Sequence, residues 1–222
     1  MNAKKIAADA AVARIEDGMI VGLGTGSTAY YAIHGIADRI RNEGLRIKAV
    51  ASSAASERLA EELGIPLVPF ADIDGIDVTI DGADEADPSL NLIKGGGGAL
   101  LREKILAANS REFLVIVDES KLVPTLGAFP LPVEIIPFAK EWTVSHLRKL
   151  GCEPTLRQAD GKLFVTDNGN YIADCRFQAI ADPESLASRI QSIPGVVEHG
   201  LFVKLAHAVF AGRQDGTVAR LG

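Results

Sequence analysis

Met19-Ile20-Val21-Gly22-Leu23-Gly24-Thr25-Gly26-Ser27-Thr28 is the segment most informative about the fold class. It opens with a short apolar run typical of a buried strand, passes through a glycine loop, and leads into a helical pattern from Ala29 to about Arg41. The alternation continues, with strand-like and helix-like segments at 3–16, 45–50, 54–63, 65–68, 78–80 and 113–117. Strands that alternate with helices predict an α/β fold with a doubly wound, mostly parallel, Rossmann-like sheet.

The N-terminal glycine loop, Gly22–Thr28, is a candidate anion site. Backbone N–H groups and the positive dipole end at a helix start favour an anion, and Ser27 and Thr28 add hydroxyl donors. A Walker A loop is excluded because Gly26 stands where its lysine is needed, and the dinucleotide fingerprint fails because Ser27 replaces its third glycine. Two interpretations remain: a site for a smaller phosphate-bearing ligand, or a tight turn with Ser27 as the helix N-cap.

The segment from Asp81 to Glu103 carries most of the candidate reactive side chains. Asp81 and Asp84 follow a strand-like run, Lys94 precedes the four-glycine loop Gly95–Gly98, and Glu103 lies near the start of a predicted helix. Ligands of doubly wound sheets bind beyond the carboxyl ends of the strands. We therefore predict that the N-terminal glycine loop and the loop bearing the two aspartates share one pocket, which Lys121 closes from the end of the run 113–117.

These residue types suit the isomerisation of a sugar phosphate. Moving a carbonyl by one carbon needs a carboxylate base that takes a proton from one carbon and returns it to the next, and groups that stabilise the enediolate. Glu103 is the best candidate for the base. Asp81 and Asp84, three residues apart on one tight loop, can converge on adjacent hydroxyls, and Lys94 supplies positive charge near a developing oxyanion. The four glycines allow the backbone to approach a ligand closely.

Other interpretations of these residues stay open at this point. The two aspartates can form or cap a turn, Lys94 can be a surface charge, and Glu103 can pair with a nearby basic residue of its helix. A divalent cation at Asp81, Asp84 and Glu85 is a third reading, although Lys94 would compete with it. The histidines have no metal-site spacing and are predicted to be structural: His34, His146, His199 and His207.

Composition narrows the class of protein. The 222 residues carry a formal charge of -6 and no basic run, so nucleic acid is not an expected partner. The sequence shows no signal-peptide pattern and no run of about 18 apolar residues, so we expect a cytoplasmic protein without a membrane partner. Two cysteines are no disulfide framework, and Cys152 and Cys175 are predicted to be reduced and buried.

A domain boundary is predicted where prolines cluster between Pro124 and Pro137. We expect an α/β catalytic domain over residues 1–127 and 205–222. Residues 128–204 are expected to form a smaller α+β, ferredoxin-like domain, which offers a surface for oligomer contacts. The apolar run 208–210 is expected to return to the first sheet.

Seven short motifs, in order along nearly the whole chain, resemble the ribose-5-phosphate isomerase family of the A type. They are Gly24-Thr25-Gly26-Ser27-Thr28, Asp81-Gly82-Ala83-Asp84-Glu85, Lys94-Gly95-Gly96-Gly97, Arg102-Glu103-Lys104, Phe129-Pro130-Leu131-Pro132-Val133-Glu134, Val165-Thr166-Asp167-Asn168-Gly169-Asn170 and Ile193-Pro194-Gly195-Val196-Val197. The resemblance implies interconversion of D-ribose 5-phosphate and D-ribulose 5-phosphate through an enediol, in the non-oxidative pentose phosphate pathway, by a homodimer or tetramer that needs no metal or organic cofactor.

The resemblance also implies roles for individual residues. Glu103 is then the proton-shuttling base, and Asp81, Asp84 and Lys94 handle the sugar hydroxyls and ring opening. The implied substrate contacts are Thr25, Gly26, Ser27, Thr28, Asp81, Gly82, Ala83, Asp84, Lys94, Gly95, Gly96, Gly97 and Lys121, and Lys4 stands where the family reaches the phosphate. Gly98, where relatives often carry alanine, is expected to loosen its loop slightly.

Two rival functions belong to other classes. A non-catalytic sugar-phosphate sensor would keep the N-terminal glycine loop and could do without a base, yet this chain has Glu103 and both aspartates. An enzyme of the CoA-transferase kind would use a glutamate as its nucleophile, which hydroxylamine trapping of a thioester would reveal.

Overall fold

The computed structural model describes residues 2–222. The helices are α1 (Ala3–Val12), α2 (Ser27–Glu43), α3 (Ala54–Glu62), α4 (Leu100–Ala108), α5 (Lys140–Arg148) and α6 (Pro183–Gln191), with 3₁₀ turns at Phe70–Asp72 and Glu119–Lys121. The strands are β1 (Ile20–Leu23), β2 (Lys48–Ala51), β3 (Ile76–Gly82), β4 (Glu85–Ala86), β5 (Leu92–Ile93), β6 (Ser110–Asp118), β7 (Leu131–Ile135), β8 (Glu153–Leu156), β9 (Gln158–Ala159), β10 (Lys162–Leu163), β11 (Tyr171–Arg176), β12 (Val196–His199), β13 (Leu201–Phe202), β14 (Ala208–Gly212) and β15 (Val218–Leu221).

The first of two compact units is the predicted α/β sheet. It contains the chain up to Ala83, Arg102–Leu122 and Leu205–Gly222. Its six strands run in the order β15-β14-β6-β3-β1-β2, and every pairing is parallel except that of β14 with β15. Strand β14 is the predicted returning run, and the fold class is confirmed.

Helices cover both faces of this sheet. Neighbouring residues of a strand point to opposite faces, and Ala49 and Val50 of β2 belong to separate apolar clusters. The larger cluster joins α1 and α2 to the sheet, and the smaller one brings Leu106 of α4 against Val50 and Ile76. The sheet is therefore doubly wound, and the loops after β1, β3 and β6 leave from one edge.

The second unit is the predicted α+β module. It contains Asp84–Leu101 and Val123–Lys204. Its four-stranded antiparallel sheet has the order β12-β7-β11-β8, and the chain order β7-α5-β8-β11-α6-β12 is that of a ferredoxin-like unit. The hairpin β9-β10 and the small sheet β13-β5-β4 complete the unit.

The observed division differs from the expected boundaries in two segments, of which the shorter is residues 123–127, expected in the first unit but found in the second. Residues 84–101 belong to the second unit, although the sequence expectation placed them in the first. The reason is pairing between distant segments, because β5 pairs with β13 over Leu201↔Ile93 and Phe202↔Leu92. Ile93 and Leu201 both lie in the apolar core of the second unit.

The structure tests two predictions outside the site, on the cysteines and on the strand at 65–68. Cys152 and Cys175 are free and buried, as expected. The strand predicted at 65–68 is wrong, since the only bridge there joins Ala49 to Leu67.

Across residues 2–222, no helix has both the length and the apolarity that crossing a membrane requires.

Candidate active site

The N-terminal glycine loop connects β1 to α2 in the first unit. Gly26 is the N-cap of α2, with φ 98° and no side-chain capping bond, and Ser27 is the first helical residue. The interpretation of Ser27 as N-cap is therefore wrong. The left-handed φ at Gly26 is one that glycine adopts without strain, and it turns the chain directly into the helix. The amino end of α2, with its N–H groups and positive dipole, thus follows the loop directly.

Three serines that were not among the predicted site residues hold the N-terminal glycine loop in place through hydrogen bonds. The Thr25 hydroxyl lies 2.8 Å from the hydroxyls of both Ser52 and Ser53, and 3.2 Å from that of Ser56. Ser56 in turn donates to the carbonyl of Gly24 at 2.7 Å. The signal in the sequence was the Ser52-Ser53 pair at the end of β2, since β2 pairs in parallel with β1 and ends at the same edge.

Lys4 lies beside this loop. Its ammonium donates to the Ser27 hydroxyl at 2.8 Å, so the start of α1 brings a cation to the start of α2. A cavity of about 730 Å³ opens here. Its lining includes Lys4, Thr25, Gly26, Ser27, Tyr30 and Tyr31. A positive charge, hydroxyl donors and a helix amino end around one cavity favour a phosphate ester.

Asp81 is a buried carboxylate next to the loop. It lies within β3 and not on a loop, so the predicted placement of both aspartates on one tight turn is wrong for Asp81. The side chain has no solvent exposure, and its Oδ1 accepts from the backbone N–H groups of Thr25 at 2.9 Å and Gly82 at 2.7 Å. These bonds hold a negative charge at the carboxyl end of β3 and tie it to the glycine loop.

Glycine is required where β1 passes this carboxylate. A Cβ on Gly24 would lie 2.2 Å from the Asp81 Oδ1 and 2.6 Å from its Cα. No side chain fits there, so Gly24 allows the close approach of loop and strand.

Thr28 and Lys121 belong to the same edge of the first sheet. A Cβ on Gly82 would meet Thr28 Cβ at 3.8 Å, so the end of β3 lies beside the first turn of α2. Lys121 ends the 3₁₀ turn that follows β6, and β6 pairs in parallel with β3 over Gly82↔Ile116. The structure therefore places Thr25, Thr28, Asp81, Gly82 and Lys121 at one edge, as predicted.

Asp84 and Lys94 belong to the second unit, where Asp84 follows Ala83 in the short link from β3 to β4. The Asp84 backbone N–H donates to the Ile93 carbonyl at 2.8 Å, and its Oδ2 accepts from the Gly96 N–H at 2.7 Å. Lys94 is 2% exposed, and its ammonium lies 5.5 Å from the centre of the Phe202 ring. A lysine buried to this degree is not the surface charge of the alternative interpretation.

The four-glycine loop packs closely on its surroundings. The Gly98 N–H donates to the Gly95 carbonyl at 3.0 Å, which closes a turn through Gly96 and Gly97. A Cβ on Gly98 would lie 2.5 Å from two atoms of the Phe164 ring, and the residue has φ +83°. The expectation that glycine loosens the loop here is wrong, because an aromatic ring occupies the space of the missing methyl group.

Glu85 has a structural role. Its carboxylate accepts from the backbone N–H groups of Gly127 at 2.7 Å and Phe129 at 2.6 Å, so it anchors the segment that leads into β7. Both carboxylate oxygens of Glu85, and one oxygen each of Asp81 and Asp84, thus already accept hydrogen bonds from backbone N–H groups. Among residues 2–222, no group of three or more His, Cys, Asp or Glu side chains is arranged to hold a metal ion.

Glu103 lies in the first turn of α4, five residues after Gly98. It is only 4% exposed. Helix α4 begins at Leu100, and its backbone fixes the position of the carboxylate. A buried carboxylate on a rigid element is the arrangement that a general base needs.

Comparison with known proteins agrees with the sequence motifs. The family model described as Ribose 5-phosphate isomerase A (phosphoriboisomerase A) matches residues 48–216. A protein of Oceanobacillus iheyensis named Ribose-5-phosphate isomerase A 1 is 50% identical over 212 residues, which cover 96% of this chain and 95% of that protein.

Solved structures agree in fold over the whole chain. The ribose 5-phosphate isomerase of Plasmodium falciparum has a TM-score of 0.95 at 40% identity, covering 99% of this chain and 97% of that one. A D-ribose-5-phosphate isomerase in complex with phospho-erythronic acid has a TM-score of 0.95 at 41% identity, covering 100% and 99% of the two chains. With the sequence match, these likenesses establish the family. The chain belongs to the ribose-5-phosphate isomerase A family.

Proposed function

We propose that this chain is an aldose–ketose isomerase that interconverts D-ribose 5-phosphate and D-ribulose 5-phosphate through an enediol. The observation that carries the proposal is Glu103, a carboxylate 4% exposed in the first turn of α4, in a chain of this family. A phosphate-bearing acid bound to a relative of the same fold supports a sugar phosphate as the substrate.

Glu103 carries the proton. Its carboxylate takes the proton from C2 of the open-chain aldose, and the electron pair left on C2 forms the C1–C2 double bond of the enediolate as the aldehyde oxygen gains negative charge. The proton of the C2 hydroxyl moves to O1, which becomes the C1 hydroxyl. Glu103 then returns its proton to C1 as the electron pair on O2 forms the C2 carbonyl. One carboxylate can serve both steps, because C1 and C2 are adjacent and the base moves little between them.

Lys94 and the aspartates manage the oxygens. The ammonium of Lys94, excluded from water, stabilises the negative charge that develops on the enediolate oxygen. Asp81 and Asp84 accept hydrogen bonds from sugar hydroxyls and move hydroxyl protons during ring opening. Both carboxylates are held by backbone N–H groups, Asp81 by Thr25 and Gly82 and Asp84 by Gly96, so they are oriented before substrate binds.

The remaining predicted contacts bind the substrate. The phosphate group lies at the amino end of α2, where Thr25, Gly26, Ser27 and Thr28 donate and Lys4 adds positive charge. Lys121 closes the edge of the site. The other predicted contact residues line the sugar with their backbone, and they are Gly82, Ala83, Gly95, Gly96 and Gly97.

A coupled assay that follows D-ribulose 5-phosphate formed from D-ribose 5-phosphate tests the proposal, with and without a chelator. We expect turnover that the chelator leaves unchanged. Binding of ribose 5-phosphate without turnover would support the sensor instead, and loss of turnover on chelation would show that a metal takes part.

Assembly and location stay predictions. We propose a homodimer or a tetramer in the cytoplasm, on the basis of the family resemblance. Light scattering on the purified protein gives the mass directly, and a mass of one chain, 23.5 kDa, would contradict the assembly.

A further inference from the structure

Arg157, a residue that follows β8, contacts the four-glycine loop from within the second unit. Its Nη1 donates to the carbonyl of Gly95 at 2.8 Å and to that of Gly96 at 3.1 Å. Both bonds go to the backbone of a loop that the sequence analysis marked for substrate binding. Sequence reasoning missed Arg157, because it lies about sixty residues away along the chain.

The arginine is itself held in place. Its Nε and Nη2 bond the two carboxylate oxygens of Asp174, at 3.0 and 2.5 Å, and Asp174 lies on β11, which pairs with β8. The guanidinium carbon lies 5.8 Å from the centre of the Phe164 ring, and the side chain is only 15% exposed. A two-point ion pair and an aromatic face leave the planar group one orientation, with its remaining donors directed at the loop.

Fixing these two carbonyls also fixes Asp84. The Gly96 N–H donates to the Asp84 Oδ2 at 2.7 Å, and the peptide carrying that N–H has the Gly95 carbonyl on its other side. A carbonyl and the following N–H belong to one planar peptide, so an arginine that holds the Gly95 oxygen also sets the direction of the Gly96 N–H. The ring of Phe164, below Arg157, also fills the space beside Gly98.

We propose that Arg157 is a positioning residue for the isomerase reaction. Paired with Asp174, it orients the four-glycine loop, and through the Gly96 N–H it orients Asp84 toward the sugar hydroxyls. Its bonds go to backbone carbonyls, so it acts through the loop and not on the substrate. The expected effect on catalysis rests on the proposed function. The expected effect on the conformation of the four-glycine loop rests on the contacts of Arg157 alone.

Kinetics of Arg157→Lys and Arg157→Met test the first consequence. Lysine keeps the charge but cannot bond Asp174 and the loop at once, so both variants should lower kcat by about tenfold to a hundredfold through misplacement of Asp84. Inhibition by phospho-erythronic acid should weaken, because that acid has hydroxyls for Asp84 to bind, whereas inhibition by inorganic phosphate should stay unchanged. Mere loss of folded protein would lower the active fraction and leave both inhibition constants as they were.

The matched control is Arg148→Met, which breaks an exposed ion pair with Glu153 in the same unit and should leave kcat unchanged. If Arg157→Met does not fold, Arg157→Lys and Asp174→Asn carry the test, since both keep a polar side chain in place. Kinetic constants within about twofold of the wild type in these variants, with an active wild-type enzyme, would overturn the inference.

Amide hydrogen exchange tests the structural consequence without any substrate. In Arg157→Lys, the Gly96 amide and its neighbours in the four-glycine loop should exchange faster than in the wild type, while β7 and β11 exchange as before. Faster exchange in a protein that does not isomerise ribose 5-phosphate would uphold the positioning and reject the proposed function. Unchanged protection of the Gly96 amide would overturn the positioning role itself.

Discussion

The absence of a side chain at Gly24 allows the loop after β1 to pass close to Asp81. Gly24 runs so close to this carboxylate that a methyl group would lie 2.6 Å from its Cα, a backbone atom that cannot rotate away. Gly35, in the middle of α2, differs: a Cβ there would meet Val12 side-chain carbons at 3.6 Å, an ordinary contact.

These two glycines give opposite predictions. Gly24→Ala should lower the free energy of unfolding by about 1–3 kcal/mol, because β1 and β3 must separate to admit the methyl group. Gly35→Ala should raise it by up to about 1 kcal/mol, because alanine has the better helix propensity. Urea denaturation of both variants measures the difference, and equal effects would show that the close approach at Gly24 is not tight.

The thiol of Cys175 links stability to pH. Its hydrogen bond with Cys152 and its burial raise the pKa of Cys175. A thiol in the unfolded chain titrates near 8.5, so above that pH the unfolded chain loses a proton that the folded protein keeps. This contribution to stability is complete below the unfolded pKa and is lost as pH rises.

We expect the free energy of unfolding to fall more between pH 8 and pH 10 in the wild type than in Cys175→Ala, by about 1–2 kcal/mol. Urea denaturation at the two pH values measures both slopes, and the comparison removes the contribution of lysines and tyrosines that titrate in the same range. Parallel slopes would contradict the raised pKa.

At the scale of elements, the amino ends of α1 and α2 together form the predicted phosphate end of the site. Lys4 in α1 bonds Ser27 in α2, whereas the next residue, Lys5, pairs with Asp9 on the surface of its own helix. The two lysines thus differ in surroundings while sharing one helix turn.

Lys4→Met should raise the KM for ribose 5-phosphate by about tenfold or more, since a hydrogen bond to a charged group contributes about 1.5–3 kcal/mol. Because a phosphate contact is made before and during the reaction alike, kcat should change little. Lys5→Met is the control and should leave KM unchanged. A similar KM in all three proteins would remove Lys4 from the site.

Elements with a clear pattern could be predicted from the sequence, and those with conflicting local signals could not. Helices α2 and α3 lie within two residues of their predicted bounds at both ends. Strand β7 was missed because Pro130 and Pro132 indicate a break, yet Pro132 pairs with Asp174 inside the sheet. Asp81 was assigned to a loop because aspartate is rare in strands, and the N–H groups that make its burial possible come partly from residue 25.

The parts of the site that could not be predicted from the sequence are contacts between residues far apart along the chain. The motifs marked Asp84, Lys94 and the glycines. Arg157, which follows β8, and Asp174, which lies in β11, hold the loop but belong to segments with ordinary composition. Ser56, which supports Thr25, likewise belongs to a helix with no unusual residues.

At the scale of the whole molecule, the chain enters and leaves the second unit twice. Residues 84–101 supply β5, which pairs with β13, and β4, which pairs with β5. They also supply Glu85, which anchors the segment at Gly127 and Phe129. The second unit therefore cannot be obtained as one continuous piece of the chain.

We predict that a fragment of residues 123–204 does not fold cooperatively. It lacks the strand that pairs with β13 and loses Ile93 from the core of the unit. Circular dichroism during heating should show a broad, shallow change for the fragment and a sharp transition for the full chain. A sharp transition in the fragment would mean that residues 84–101 are dispensable for folding.

Transfer of a proton by Glu103 between C1 and C2 of a sugar phosphate can be followed in D₂O. Ribose 5-phosphate is incubated with the wild type, with Glu103→Gln and with the exposed control Glu62→Gln, and proton NMR follows conversion and loss of the C2 proton signal. We expect the wild type and Glu62→Gln to isomerise the sugar and exchange this proton, and Glu103→Gln to do both at least about a hundredfold more slowly with similar KM. Exchange by Glu103→Gln at the wild-type rate would show that Glu103 is not the base.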